Sequence, residues 1–150
     1  MILLDTNVIS EPLKLNGDAG VLTWIDAQMI ETLYLSTISL AELRFGIAAL
    51  APGKRRDTLQ TSLEQRILPL LAGRILPFDA AASQAYAVLR ARARSLGKAI
   101  APTDGYIAAT AVSQGLMVAT RDTGPFEAAG LTVINPWHPQ HARTGEDPSA

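Results

Sequence analysis

The chain has 150 residues, enough for one domain with its own core, and a net charge of −1, which excludes a protein that grips nucleic acid by bulk positive charge. It contains no cysteine, so a disulfide framework and a zinc–thiolate site are excluded. No apolar run approaches the roughly 20 residues of a membrane span, and no charged start leads into a long apolar stretch. Neither a membrane segment nor a secretory signal is expected, and the cytoplasm is the expected compartment.

Ile2–Leu4 reads as a buried strand that runs directly into Asp5. Val8–Leu13 reads as a short helix, Leu15–Asp18 as a loop, and Gly20–Met29 as a helix with Val21, Trp24 and Ile25 at helical spacing. Leu33–Ser36 is a second strand, and Ser39–Ala51 a helix stopped by Pro52-Gly53. Arg56–Leu71 has the period of one long amphipathic helix, with Leu59, Leu63, Ile67, Leu70 and Leu71 on one face. Ile75-Leu76-Pro77 suits an edge strand, because proline cannot donate to a ladder. Asp79 is the expected N-cap of a helix over Ala80–Leu96, with Gly97 just past its end. A helix over Thr103–Gln114 follows, capped by Thr103 and closed by Gly115. Leu116–Ala119 is a strand, Thr123–Ala129 a short helix ended by Gly130, and Leu131–Ile134 a last strand stopped at Asn135-Pro136. Alternation of strands and helices predicts an α/β fold with a mainly parallel sheet. The domain is expected over residues 1–137, and the polar stretch 138–150 reads as a flexible tail whose His138 and His141 are solvated.

Four acids stand at strand-to-helix junctions. Asp5 ends the first strand and serves equally well as a helix cap or as a site residue. Glu42 completes a capping box, Ser39-Leu40-Ala41-Glu42, and local sequence favours that structural role. Asp104 lies in the first turn of an almost wholly apolar helix, with no Lys or Arg close in sequence to pair with it. Asp122 follows Leu116–Arg121 and repeats the arrangement at Asp5. Ligands of open α/β sheets bind beyond the carboxyl ends of the strands, so four such acids would meet at one edge. Crowded carboxylates raise one another's pKa, and a divalent cation removes the repulsion. Oxygen ligands without His or Cys point to Mg²⁺ or Mn²⁺, and to phosphodiester hydrolysis.

In order and spacing these residues resemble the PIN-domain ribonucleases, in particular VapC-type toxins. Leu3-Leu4-Asp5-Thr6-Asn7 resembles the family's first motif and Ser39–Leu43 its second. Asp104–Ala111 resembles the third, Ala119–Phe126 the fourth, and Val133-Ile134-Asn135-Pro136-Trp137 the ending of the FitB-like branch. The resemblance implies a three-layer α/β/α sandwich with a short, mainly parallel central sheet. It implies Asp5, Glu42, Asp104 and Asp122 as the catalytic, metal-holding acids, with Thr6 and Thr120 beside them. It also implies an Mg²⁺- or Mn²⁺-dependent endoribonuclease acting on tRNA or another structured RNA. A homodimer, a cognate antitoxin, and operator DNA bound only through the antitoxin complex are further implications.

Arg90 and Arg94 are four apart on one helix face and are candidate phosphate contacts. Lys54-Arg55-Arg56 reads as a solvated turn. Two other readings compete. A receiver-like phospho-acceptor domain needs a lysine near the end of the sheet, and the chain has none after Lys98. An inactive binding module on the same fold would not need all four acids.

Overall fold

The computed structural model describes residues 1–138 together with Arg143–Thr144. Strand β1 (Ile2–Leu4) leads into helix α1 (Thr6–Ile9), a 3₁₀ turn (Glu11–Leu13) and α2 (Ala19–Asp26). Next come β2 (Leu33–Ser36), α3 (Thr37–Ala48), α4 (Lys54–Thr61) and β3 (Ile75–Leu76). The second half holds α5 (Ala80–Ser95), α6 (Pro102–Gln114), β4 (Met117–Ala119), α7 (Thr123–Ala128), β5 (Thr132–Ile134) and β6 (Arg143–Thr144).

The sheet order is β3-β2-β1-β4-β5-β6. The first five strands are parallel, and β6 runs antiparallel along β5. Leu4 at the end of β1 lies level with Leu35 of β2 and Ala119 of β4. The chain builds outward from β1 to β3 on one side, then returns to place β4 and β5 on the other. The junction of β1 and β4 is therefore the topological switch point, where an α/β sheet opens a crevice.

Both faces of the sheet are covered, which explains why β1, β3 and β4 are apolar at every position and β2 and β5 at all but one. Successive side chains alternate between faces. Leu3, Val118 and Val133 pack with Leu89, Ile107, Ala108 and Phe126 from α5, α6 and α7. Ile2, Leu4, Leu33, Leu35 and Ala119 pack with Val8, Val21, Leu43 and Leu63 in the opposite layer. This is the three-layer α/β/α sandwich, and each large side chain it buries contributes about 1.5–3 kcal/mol.

Several expected boundaries move. Residues 54–71 form α4, then a π turn over Ser62–Ile67, then a 3₁₀ turn over Leu68–Leu71, in place of one long helix. Pro69 lacks the N–H that an α-helix needs at that point. The expected Val8–Leu13 helix begins at Thr6 and gives way to a 3₁₀ turn containing Pro12. Helix α6 starts one residue earlier than expected, with Ala101 at the N-cap and Pro102 in its first turn, so Thr103 does not cap it. Proline is suited to that position because its missing N–H would have no helical partner there. Asp79 caps α5 as expected, its carboxylate accepting from the Ala82 amide at 2.9 Å. Of the expected tail, residues 139–142, including His141, and 145–150 lie outside the described residues. Arg143–Thr144 pair with Thr132–Val133, and His138 is exposed.

The start of α3 also differs. Its N-cap is Ser36, whose buried Oγ accepts from the Ser39 amide at 3.0 Å. Glu42 therefore sits in the second turn and closes no capping box. Ser36→Ala should cost about 1–2 kcal/mol in urea unfolding, because it strands a buried amide. Glu42→Gln should leave stability within about 0.5 kcal/mol of the parent or raise it. An equal loss in both variants would restore the capping box.

Candidate metal centre

The site begins where β1 ends. The Asp5 amide donates to the Ala119 carbonyl at 2.9 Å, extending the sheet ladder one residue past Leu4. The side chain is buried and held at both oxygens. Its Oδ1 accepts from the Thr6 amide at 2.8 Å, and its Oδ2 accepts from Thr120 Oγ1 at 2.7 Å. Asp5 thus caps α1 and also stands at the switch point, so the two readings of this residue coexist.

Two threonine hydroxyls tie the neighbouring segments to it. Thr120 is fully buried after β4, and besides donating to Asp5 it accepts from the Asp122 amide at 3.0 Å. Asn7 braces the same turn, donating to Thr120 Oγ1 at 3.4 Å and accepting from the Arg121 amide at 3.2 Å. On the other side Thr6 Oγ1 donates to Glu42 Oε1 at 2.7 Å and lies 3.0 Å from Ser39 Oγ. Asp104 enters from the first turn of α6, half-buried.

The electrostatics join all four acids. Burial, aided by the charges of Asp104 and Glu42 and opposed by the hydrogen bonds from Thr120 and Thr6, pushes the Asp5 carboxyl up to about 6. Burial also raises Asp104, followed by the charges of Asp122 and Glu42. Among the described residues the ion pairs are Lys14–Glu11 and Arg44–Glu64, so no cation neutralises this cluster. Among the described residues no three Asp, Glu or His side chains lie close enough together, as placed, to hold a metal ion. What the fold brings together is a cation-deficient neighbourhood of oxygen donors. Such a donor set fits a hard divalent ion of the Mg²⁺ or Mn²⁺ kind.

Arg90 lies beside this cluster and Arg94 farther along α5. Arg90 Nη1 donates to the Tyr86 hydroxyl at 2.7 Å, and its guanidinium stands 5.4 Å from the ring centroid. Tyr86 stacks on Tyr106 with centroids 4.7 Å apart, and Phe78 meets Tyr106 edge-on at 5.1 Å. A Cβ on Gly105 would fall 2.9 Å from Tyr86 Cε2 and 3.3 Å from Arg90 Cδ, so glycine there admits both side chains next to Asp104. Arg94 is exposed and lines a surface groove with Arg90 and Lys98. Sequence reasoning missed Ser39 and Asn7 as partners of the two threonines. It also missed the aromatic stack, although a glycine within an apolar helix is itself a sign of close approach.

A PIN domain model matches residues 2–131. The chain is 66% identical over 139 residues to VapC ribonuclease Y4jK of Sinorhizobium fredii, covering 93% of this chain and 99% of the relative. It is 56% identical over 138 residues to toxin FitB of Neisseria gonorrhoeae, covering 92% and 99%. A structure of FitAB bound to an IR36 DNA fragment superposes with a TM-score of 0.91 at 54% identity, covering 94% of this chain and 99% of that one. Fold, motif order and these likenesses agree: the chain belongs to the PIN domain family, in its VapC-type, FitB-like branch.

Proposed function

We propose that this protein is a divalent-metal-dependent endoribonuclease, the toxin of a toxin–antitoxin pair, acting in the cytoplasm on tRNA or another structured RNA. The observation that carries the reading is that hydrogen bonds through Thr6 and Thr120 tie Asp5 to Glu42 and to the Asp122 turn, with Asp104 close enough to raise Asp5 and no ion pair to any of the four among the described residues. The ribonuclease and toxin names of the similar proteins support the reaction class. The FitAB–DNA structure supports a cognate antitoxin, with operator DNA reached through that complex. A homodimer is part of the same proposal.

The four carboxylates would hold Mg²⁺ or Mn²⁺. When bound, such an ion neutralises phosphate oxygens and acidifies a water. The chain's own contribution is orientation. Thr120 and the Thr6 amide fix both oxygens of Asp5, so that carboxylate cannot rotate away from the crevice. Thr6 aims Glu42 across from α3. Burial of Asp5 lowers the local dielectric and strengthens its attraction for a cation. Arg90 and Arg94 would meet the RNA backbone along α5.

Asp5→Asn should lower RNA cleavage at least ~100-fold and abolish growth arrest, while the purified protein keeps its circular dichroism spectrum. An Asp5→Asn protein as active as the parent would overturn the site assignment. Calorimetric titration with Mg²⁺ should show binding that the fourfold acid-to-amide variant lacks; equal heats from both would favour an inactive module. The Arg90→Ala/Arg94→Ala variant should bind RNA more weakly and with a flatter salt dependence. Unchanged affinity and slope would remove both arginines.

Protonation supplies a further check. The folded-state pKa of Asp5 lies above its unfolded value of 3.8, so the folded state takes up the proton more readily. In chelator the stability tied to Asp5 is complete below about pH 4 and is lost as pH rises through about 6. The loss is on the order of 2–3 kcal/mol at about 1.4 kcal/mol per unit. The melting temperature of Asp5→Asn relative to the parent should therefore climb between pH 4 and 7 in chelator. A difference that stays flat with pH would contradict the raised carboxyl.

A further inference from the structure

Arg121 stands between the two acidic-site residues Thr120 and Asp122, yet it pairs with neither Asp122 nor any other acid among the described residues. Its guanidinium instead lies 5.1 Å from the centroid of the Trp137 ring. Its backbone amide donates to Asn7 Oδ1 at 3.2 Å, so the main chain is anchored to the first motif. Trp137 follows β5, packs against the Leu4–Leu35 layer, and brings its ring back over the end of β4.

A guanidinium held over an aromatic ring by cation–π attraction keeps N–H donors available at its edge. The ring also limits the rotamers of a long side chain, so little freedom remains to be lost on binding. The result is an exposed, oriented cation at the rim of a carboxylate cluster. On the far side, beyond the end of β3, Arg90 is held on Tyr86 within the Phe78–Tyr106 stack. In the sheet order, β3 and β5 lie on opposite sides of β1, which carries Asp5. Two arginines braced on aromatic rings thus flank the acids from the two sides.

We propose that Arg121, positioned by Trp137, is a substrate-holding residue that binds a phosphate of the RNA next to the scissile one, so that the strand crosses the acids between Arg121 and Arg90. This rests on the ribonuclease reading above. The observations favour RNA over a protein partner because an exposed Arg121 and a partly exposed Arg90 both stand beside aromatic rings, the combination that grips a phosphate and stacks a base.

The test measures binding of total bacterial tRNA, by filter retention in Mg²⁺ across a salt series, with every variant in an Asp5→Asn background that prevents cleavage. Arg121→Ala should weaken binding about tenfold and reduce the log–log salt slope by ~0.7–0.9, one phosphate contact. Arg121→Lys should keep the slope and recover most of the affinity. Trp137→Phe, which retains a ring, should bind within about twofold of the parent, and melting curves should show all three variants folded. A purely structural Arg121 would move the melting temperature without changing the salt slope, and that outcome overturns the proposal. So does unchanged RNA affinity in Arg121→Ala, including the case in which only capture of a co-expressed antitoxin is lost. If the Asp5→Asn parent binds no tRNA at any salt, the ribonuclease reading falls and this proposal falls with it. If the parent binds and Arg121→Ala matches it, only the assignment of Arg121 is lost.

Discussion

The hydrogen bond from Thr120 to Asp5 crosses from β4 to β1 at the one place where the sheet reverses its direction of growth. Much of the site depends on it. Without a donor, a buried carboxylate would be costly to keep charged; with Thr120 and the Thr6 amide it remains a usable ligand whose proton affinity is raised only moderately. The same hydroxyl accepts from the Asp122 amide and so sets the turn that carries the fourth acid. Thr6 performs the matching task toward α3, holding Glu42. Two threonines, one directly after Asp5 and one two residues before Asp122, convert a parallel sheet edge into a common anchor for three segments far apart in the chain.

That anchor holds charges that repel one another. Asp104 and Asp5 are both raised by neighbouring acids, and the arginines nearby engage tyrosine and tryptophan rings rather than those acids. An arrangement that withholds internal neutralisation is destabilised until a cation arrives. Under the proposed metal role, part of the ion's binding free energy would be relief of repulsion already present in the fold.

Much of this was legible in residue order. The strands β1 to β5 were readable because both faces are covered and nearly every position is apolar, and Asp79, Gly115 and the edge position of β3 followed local rules. Asp5 and Asp122 could be found because each follows a strand that hands over to a helix; the same expectation fails for Asp104, whose helix α6 follows α5, and Glu42 stands a turn inside α3. The failures have a common origin in competition between local patterns. Ser39-Leu40-Ala41-Glu42 is a sound capping box on paper, but β2 runs to Ser36, which caps first. Glu42 is then claimed by Thr6, 36 residues away, a contact no local window contains. The 56–71 period was correct for burial of Leu63 and Leu71, but Pro69 in plain view should have ended the helix. The pairing of Arg121 with Trp137 depends on β4 lying beside β5, and so only tertiary structure exposes it.

The edges of the sheet carry one more consequence. Strand β3 is two residues long and stops at Pro77, which has no amide hydrogen to offer. The opposite side of the sheet ends in another two-residue strand, β6. Among the described residues, neither border presents the long run of free backbone groups that a visiting strand would need in order to zip on. Short borders of this kind favour encounters through side chains over encounters through strand pairing. Encounter partners can therefore be told apart by shape and charge, and a crowded cell full of nascent, sticky strands finds little here to seed a fibril.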